Sequence, residues 1–136
     1  MKSGIRFTHI EAVIITAVLL SAAVNYAPRL SRASNEDRAA ELIDALHSVR
    51  SALDLYRAEH KGDLPPTDDF RSFTRALAGA SDSSGPYIRG IPDNPFNGKS
   101  RVRFDGAGAG AGLAGWRLDT HSGSFRADHD PDYASL

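Results

Sequence analysis

The sequence predicts an α+β fold, in which a long, kinked N-terminal helix packs on a short second helix and a small three-stranded antiparallel sheet. Three patterns support this fold. Apolar residues recur at helical spacing between positions 39 and 56, a short segment at 66–79 has helical character, and three later segments alternate with period two. At 136 residues, the chain is expected to form one domain with an N-terminal appendage.

Charge and cysteine content exclude some classes of function. The chain has 16 Lys and Arg residues against 17 Asp and Glu residues, and both kinds are spread evenly along it. No basic face is therefore expected, and no nucleic-acid partner. The chain has no cysteine, which excludes disulfides and thiolate metal sites.

The N-terminus has the pattern of a targeting segment. Lys2 and Arg6 precede a run from Ala12 to Val24 that contains no charged residue. Glu11 stands directly before this run, where a carboxylate is costly if it enters a bilayer. The residues alone leave two interpretations open, a secretory signal cleaved after position 23 or 27 and a transmembrane helix over 7–27.

The segment from Ser34 to His60 predicts an amphipathic helix. Its apolar stripe has spacings of three and four residues and consists of Ala39, Leu42, Leu46, Val49, Leu53 and Tyr56. Only Pro28 and a few polar residues separate it from the apolar run. Because proline kinks a helix more often than it ends one when both flanks favour helix, we predict one helix from Phe7 to His60 with a kink at Pro28. That continuity favours a retained anchor over a cleaved signal.

The remainder predicts a small head. Residues 66–79 are predicted to form a short helix with Thr67 or Asp68 as N-cap and Gly79 at its end. Prolines and an Asn-Gly pair in 85–99 predict turns rather than strands. Residues 101–105, 115–119 and 123–127 predict an antiparallel meander. Its expected core face is Val102, Phe104, Trp116, Leu118 and Phe125.

The segment "FTHIE" at residues 7–11 follows a short basic leader and opens the apolar helix. It resembles the class III signal of type IV pilins and pseudopilins, whose usual pattern is Phe-Thr-Leu-Ile-Glu, with His9 in place of the leucine. The resemblance implies that a leader of residues 1–6 is cut between Arg6 and Phe7 and that the new amine of Phe7 is methylated. It also implies that Glu11 neutralises this amine in a neighbouring subunit. Arg6 stands where the prepilin peptidase generally requires glycine.

Two later segments are similar to the G-type major pseudopilins of type II secretion, namely "GPYIRGIPDNPFNGK" (85–99) and "GWRLDTHSGSFRA" (115–127). The resemblance implies a transmembrane and polymerisation helix at 7–27, its amphipathic continuation at 28–61 and a periplasmic head at 62–136. The residues expected in the transmembrane segment include Phe7, Ile10, Val13, Ile14, Val18, Leu19 and Val24.

The resemblance implies a structural subunit rather than an enzyme, one that polymerises into a pseudopilus and drives protein export. Its implied partners are other pseudopilin subunits, the prepilin peptidase and N-methyltransferase, the inner-membrane platform of the secretion system, and the membrane itself. Its implied location is the bacterial inner membrane, as a single-pass protein with a cytoplasmic N-terminus. The alternatives are a type IV pilus subunit and a secreted soluble binding domain with an ordinary cleaved signal.

Two other motifs have competing interpretations. "GAGLAG" (110–115) satisfies G-x-G-x-x-G, but a nucleotide site needs a helix after it, and a strand is predicted there instead, so we expect a loop between two strands. Near the C-terminus, Asp128, Asp130 and Asp132 are candidate Ca²⁺ ligands, since calcium prefers carboxylate oxygens. The competing expectation is a solvated acidic tail without a metal or any other cofactor. The five histidines do not form a nucleophile–base pattern.

Overall fold

The structure is a computed structural model that describes residues 9–79 and 86–136; within the first helix it describes side chains at 14, 16 and 17 and from 33 onward. The elements are α1 (His9–Glu59), α2 (Phe70–Ala78), β1 (Val102–Phe104), β2 (Trp116–Leu118) and β3 (Phe125–Ala127), followed by a 3₁₀ turn at Pro131–Tyr133. The chain divides into two compact units, one ending at Asp37 and the other running from Arg38 to Leu136. The α+β class with a long first helix is confirmed.

Helix α1 is continuous over 51 residues and includes Pro28. The predicted single helix is therefore confirmed over the described residues, while the kink at Pro28 stays a prediction. In the unit from Arg38 onward, the apolar stripe faces the core, with Leu42, Leu46 and Val49 fully or almost fully buried. The helix ends because Lys61 and Gly62 take positive φ angles of 56° and 95°, which a continuing helix cannot contain.

The predicted membrane location is wrong. Over the residues that the structure describes, no helix combines the length and the apolar character needed to cross a membrane. The uncharged run from Ala12 to Val24 has thirteen residues, whereas about 20 are needed to span a bilayer. A longer segment would have to include Glu11 at one end or Asn25 at the other, and both side chains are costly in hydrocarbon. This finding contradicts the placement as a single-pass inner-membrane protein with a cytoplasmic N-terminus and a periplasmic head.

Helix α2 begins later than the sequence predicted. Its N-cap is Asp69, whose carboxylate accepts a hydrogen bond from the N–H of Ser72 at 2.8 Å. The backbone hydrogen bond from Ser72 is the largest cause that holds the pKa of Asp69 below its ordinary value, and it outweighs the opposing effect of desolvation. The prediction of Thr67 or Asp68 as N-cap was wrong by one or two positions. Gly79 ends the helix as predicted, and Phe73 and Leu77 are buried.

The sheet is mixed, not antiparallel. Strand β1 pairs with β2 in parallel, with Val102 opposite Trp116, and β2 pairs with β3 in antiparallel fashion, with Leu118 opposite Phe125. The strand order is β1-β2-β3. The predicted meander was wrong because alternation shows which side chains share a face but does not fix strand direction. The loop between β1 and β2 is long enough to return the chain to the same end of the sheet.

One hydrophobic core joins the second half of α1, helix α2 and the sheet. Trp116 lies at its centre and is fully buried, stacked on Phe125 with 5.6 Å between ring centroids. The indole N–H of Trp116 donates to the carbonyl of Pro92 at 2.8 Å. The predicted core face is confirmed, with four of its five side chains buried and Phe104 packed at the margin.

Candidate functional site

The predicted assembly residues lie at the N-terminus, and the structure describes them only in part. Arg6 and Phe7 lie outside the described residues, and so do the side chains of Ile10, Glu11 and the other predicted spanning residues except Ile14. Ile14 is 57% exposed. Its neighbour on the next turn, Ala17, is also exposed. This part of α1 therefore has an apolar surface that its own compact unit leaves uncovered.

A buried ion pair between Arg103 and Asp128 holds the loop that follows β1. Arg103 in β1 uses all five of its guanidinium N–H groups. Two of them bind the carboxylate of Asp128, at 3.1 Å from Nε and 2.6 Å from Nη2. The other three hold the loop after β1, through the carbonyl oxygens of Asp105, Ala107 and Gly108.

Asp128 completes this network from the end of β3. Its side chain is fully buried, and it also accepts hydrogen bonds from the N–H groups of Ala111 and Ala114. Burial opposes ionisation of Asp128, but the hydrogen bonds from Arg103 and Ala114 outweigh it and hold the pKa below its ordinary value. The carboxylate and the guanidinium together fix the glycine-rich loop between β1 and β2.

A second set of buried hydrogen bonds is formed by Asn94, which lies in the proline-rich segment at 85–99. Its side-chain amide donates to the carbonyl of Gly115 at 2.9 Å and to Nδ1 of His129 at 3.0 Å. The amide oxygen of Asn94 accepts from the N–H of Phe96 at 3.0 Å, so the NH₂ group of Asn94 faces Nδ1 of His129. Burial lowers the pKa of His129, while the nearby carboxylates of Asp130 and Asp128 act in the opposite direction. Phe96 stacks on the imidazole with 4.6 Å between ring centroids.

The three candidate Ca²⁺ ligands do not form a site together. Asp128 is committed to Arg103 inside the head. Asp130 caps the 3₁₀ turn by accepting from the N–H of Asp132 at 2.8 Å, and Asp132 itself is exposed. Each carboxylate therefore has its own structural position, which sequence proximity alone did not reveal.

A different group of potential metal ligands does lie close together. Among the described residues, the set with metal-ligand spacing is Asp105, Asp119 and His121. Both carboxylates already accept hydrogen bonds from the turn after β2. The backbone N–H of Ser122 is the largest cause that lowers the pKa of Asp119, to about 2. Thr120 binds the carboxylate of Asp105 and lowers its pKa as well. These hydrogen bonds stabilise the turn.

One groove of the described head has a volume of about 710 Å³. It lies between α1 and the segment at 87–95. Ala45, Tyr87 and Ile88 give it apolar walls, and Glu41 and Arg89 stand at its edge. At one end, the ring of Tyr87 meets Tyr56 edge to face, with 5.5 Å between centroids.

Comparisons with protein-family models, with curated proteins and with solved structures find no match for this chain. The resemblance to pseudopilins therefore depends on the quoted motifs. Sequence reasoning missed Arg103 and Asn94, the two residues that organise the head. A signal existed for Arg103, because arginine in the middle of a strand needs a partner when the sheet is covered. For Asn94 the signal was the "NPFNG" turn at 94–98.

Proposed function

We propose that this chain is a structural subunit of a type II secretion pseudopilus and polymerises through its N-terminal helix. The exposed apolar surface at Ile14 is the single observation that carries the proposal. Burying such surface against a second copy stabilises the contact by about 25 cal/mol for each Å². Helix-on-helix packing of this kind does not require a segment that crosses a membrane.

Glu11 gives the proposed fibre its register. It lies three positions before Ile14, so both positions fall on one side of α1. A carboxylate beside an apolar contact is unfavourable unless it has a partner of opposite charge. In the fibre that partner is the amine of Phe7 in a neighbouring copy, as in the family that the "FTHIE" motif resembles. Export is then driven by growth of the fibre.

Glu11→Ala is expected to reduce assembly about tenfold, which corresponds to roughly 1.4 kcal/mol for each contact. The chain has no native cysteine, so an introduced Ala17→Cys forms disulfide-linked dimers only where two helices meet. The measurement is the yield of these dimers in cells that make both the Ala17→Cys protein and the rest of its export machinery. Glu36→Ala is the matched control, because Glu36 is exposed on the same helix beyond the apolar run. Equal dimer yields for Glu11→Ala and wild type would contradict the role of Glu11.

Processing of the leader is tested by Arg6→Gly. Because glycine is the residue that the prepilin peptidase generally requires at this position, the substitution is expected to raise the fraction of cleaved chains. Intact mass of the protein from its own cells gives the cleavage point. Chains that begin at Phe7 with one added methyl group support the pseudopilin proposal. If the wild-type chain is already fully cut there, Arg6 does not limit processing.

A secreted binding domain is the second candidate, and one observation favours it. Residues 38–136 form a compact unit with their own core and with the groove lined by Ala45, Tyr87 and Ile88. The same mass measurement separates the two functions. A chain that begins after Ala23 or Ala27 has lost Glu11 and Ile14, so it cannot polymerise as proposed.

A further inference from the structure

The last segment of the described head, residues 130–136, packs on the rest of the head through an aromatic stack. The imidazole of His129, which follows β3, lies parallel to the ring of Phe96 with 4.6 Å between centroids. Tyr133 of the 3₁₀ turn contacts both rings, with its centroid 4.7 Å from that of Phe96 and 5.1 Å from that of His129. His129 therefore joins this segment to the proline-rich segment at 85–99.

Asn94 determines which nitrogen of His129 carries the proton of the neutral ring. Oδ1 of Asn94 accepts from the N–H of Phe96 at 3.0 Å, and Nδ2 donates to the carbonyl of Gly115 at 2.9 Å. A flipped amide would set Oδ1 against that carbonyl oxygen, so the NH₂ group remains beside Nδ1 of His129, at 3.0 Å. Because an amide NH₂ group donates and does not accept, Nδ1 is the acceptor and the proton is on Nε2.

Nε2 of His129 is enclosed as well. It is buried, and no group among residues 9–79 and 86–136 forms a hydrogen bond with it. A second proton, on Nδ1, would replace the hydrogen bond from Asn94 by a contact between two donors. It would also place a positive charge on a ring whose nitrogens have no acceptor among these residues, which is unfavourable. The packing of this ring therefore requires the neutral form.

The charged groups around His129 oppose this requirement only in part. Burial lowers the pKa of His129 and outweighs the neighbouring carboxylates of Asp130 and Asp128, which act in the opposite direction. Asp128 is paired with Arg103 of β1, and Asp132 on the 3₁₀ turn is exposed. The groups that contact the ring from the proline-rich segment and from the 3₁₀ turn are uncharged in mild acid, and they are the amide of Asn94 and the rings of Phe96 and Tyr133.

We propose that His129 is a pH-sensitive switch, which holds residues 130–136 on the head while its imidazole is neutral and releases them when the imidazole is protonated. In the released state the histidine takes up a proton near its ordinary pKa of about 6.5, whereas in the packed state it resists protonation. The packed state is therefore fully favoured above about pH 7. It loses stability as the pH falls below about 6.5, down to the pKa of the packed histidine.

Release uncovers part of the head. In the packed state the backbone oxygens of Ala134 and Leu136 accept hydrogen bonds from Arg126 and Arg50, and these acceptors leave with the segment. The switch uses neither the leader nor the apolar surface at Ile14, so its test is independent of fibre assembly.

Limited digestion of the full chain with chymotrypsin tests the switch, because cleavage after Tyr133 requires the released segment. Mass spectrometry measures this cleavage as the loss of residues 134–136, and at low protease concentration its rate follows the released fraction. His129→Phe keeps a ring in the stack and cannot take up a proton, so the ratio of wild-type to His129→Phe rates cancels the pH dependence of the protease. Between about pH 7.5 and 5.5 this ratio is expected to rise three- to tenfold, and the upper value is the limit for a released-state pKa of about 6.5. EDTA in every sample excludes an effect of divalent ions.

His47→Phe is the matched control, since His47 is an exposed histidine of α1, and it is expected to keep the response of the wild type. Asp128 and Asp130 do not produce a response in this range, because carboxylates titrate near about pH 4. Tryptophan fluorescence of each variant verifies that the head is folded. NMR of the imidazole nitrogens of the wild type is the second measurement, and the proton of neutral His129 is expected on Nε2. A ratio that does not change with pH, a proton on Nδ1, or loss of the response in His47→Phe would overturn the proposal.

Discussion

Asp128→Ala is expected to lower the free energy of unfolding of the head by about 4 kcal/mol. The substitution leaves the guanidinium of Arg103 without its counterion and two backbone N–H groups without their acceptor. It also releases the loop after β1, because Arg103 holds that loop through three carbonyl oxygens. Urea unfolding measures the change, followed by the fluorescence of Trp116. This residue is the only tryptophan of the chain and is fully buried.

Two further variants show whether the effect on stability requires the charge of Asp128 and whether it is specific to that position. Asp132→Ala removes an exposed carboxylate nearby and is expected to change stability by less than about 0.5 kcal/mol. Asp128→Asn keeps an acceptor but loses the charge, so its effect is expected to fall between the other two. If Asp128→Ala were as mild as Asp132→Ala, the ion pair would not be what holds the loop.

The contribution of Asp128 depends on pH in a defined direction. The pKa of Asp128 in the folded head is lower than its ordinary value, so the folded state binds this proton less readily than the unfolded state does. The stabilisation is fully present above about pH 4. It is lost as the pH falls through the folded-state pKa. The difference between wild type and Asp128→Ala is therefore expected to shrink in acid.

The sequence was sufficient to predict the core residues of elements whose apolar side chains recur at a regular spacing. The stripe of α1 is a periodic signal over many turns, so Leu42, Leu46 and Val49 were assigned to the core correctly. Alternation likewise assigned Trp116 and Leu118 to the buried face. These predictions succeed because a helix and a strand each carry a fixed side-chain period.

The parts that depend on single long-range contacts could not be predicted. The parallel pairing of β1 with β2 depends on a loop that Arg103 holds against Asp128, and these residues are 25 positions apart. The structural role of Asp128 could not be predicted for the same reason, since the sequence gives this residue the appearance of a member of an acidic tail. The ion pair with Arg103 in β1 shows that the carboxylate of Asp128 is already bound.

Gly115→Ala is expected to destabilise the head by about 3 kcal/mol or more. A Cβ at this position would lie 1.9 Å from the carbonyl oxygen of Lys99. The backbone cannot move away easily, because the N–H of Gly115 donates to Arg101 and its carbonyl accepts from Asn94 and from the N–H of Asp128. The measurement is again urea unfolding followed by tryptophan fluorescence.

Gly108→Ala is the matched control from the same loop. No described heavy atom lies within 4 Å of a Cβ built at Gly108, so this substitution is expected to leave stability unchanged or to raise it by a few tenths of a kcal/mol. A nucleotide-binding loop would have required glycines for close approach of a ligand. Here Gly115 permits close approach of Lys99 instead, and Gly110 does the same for the backbone of Pro131. Equal stability of the Gly115→Ala and Gly108→Ala proteins would contradict this account of the "GAGLAG" motif.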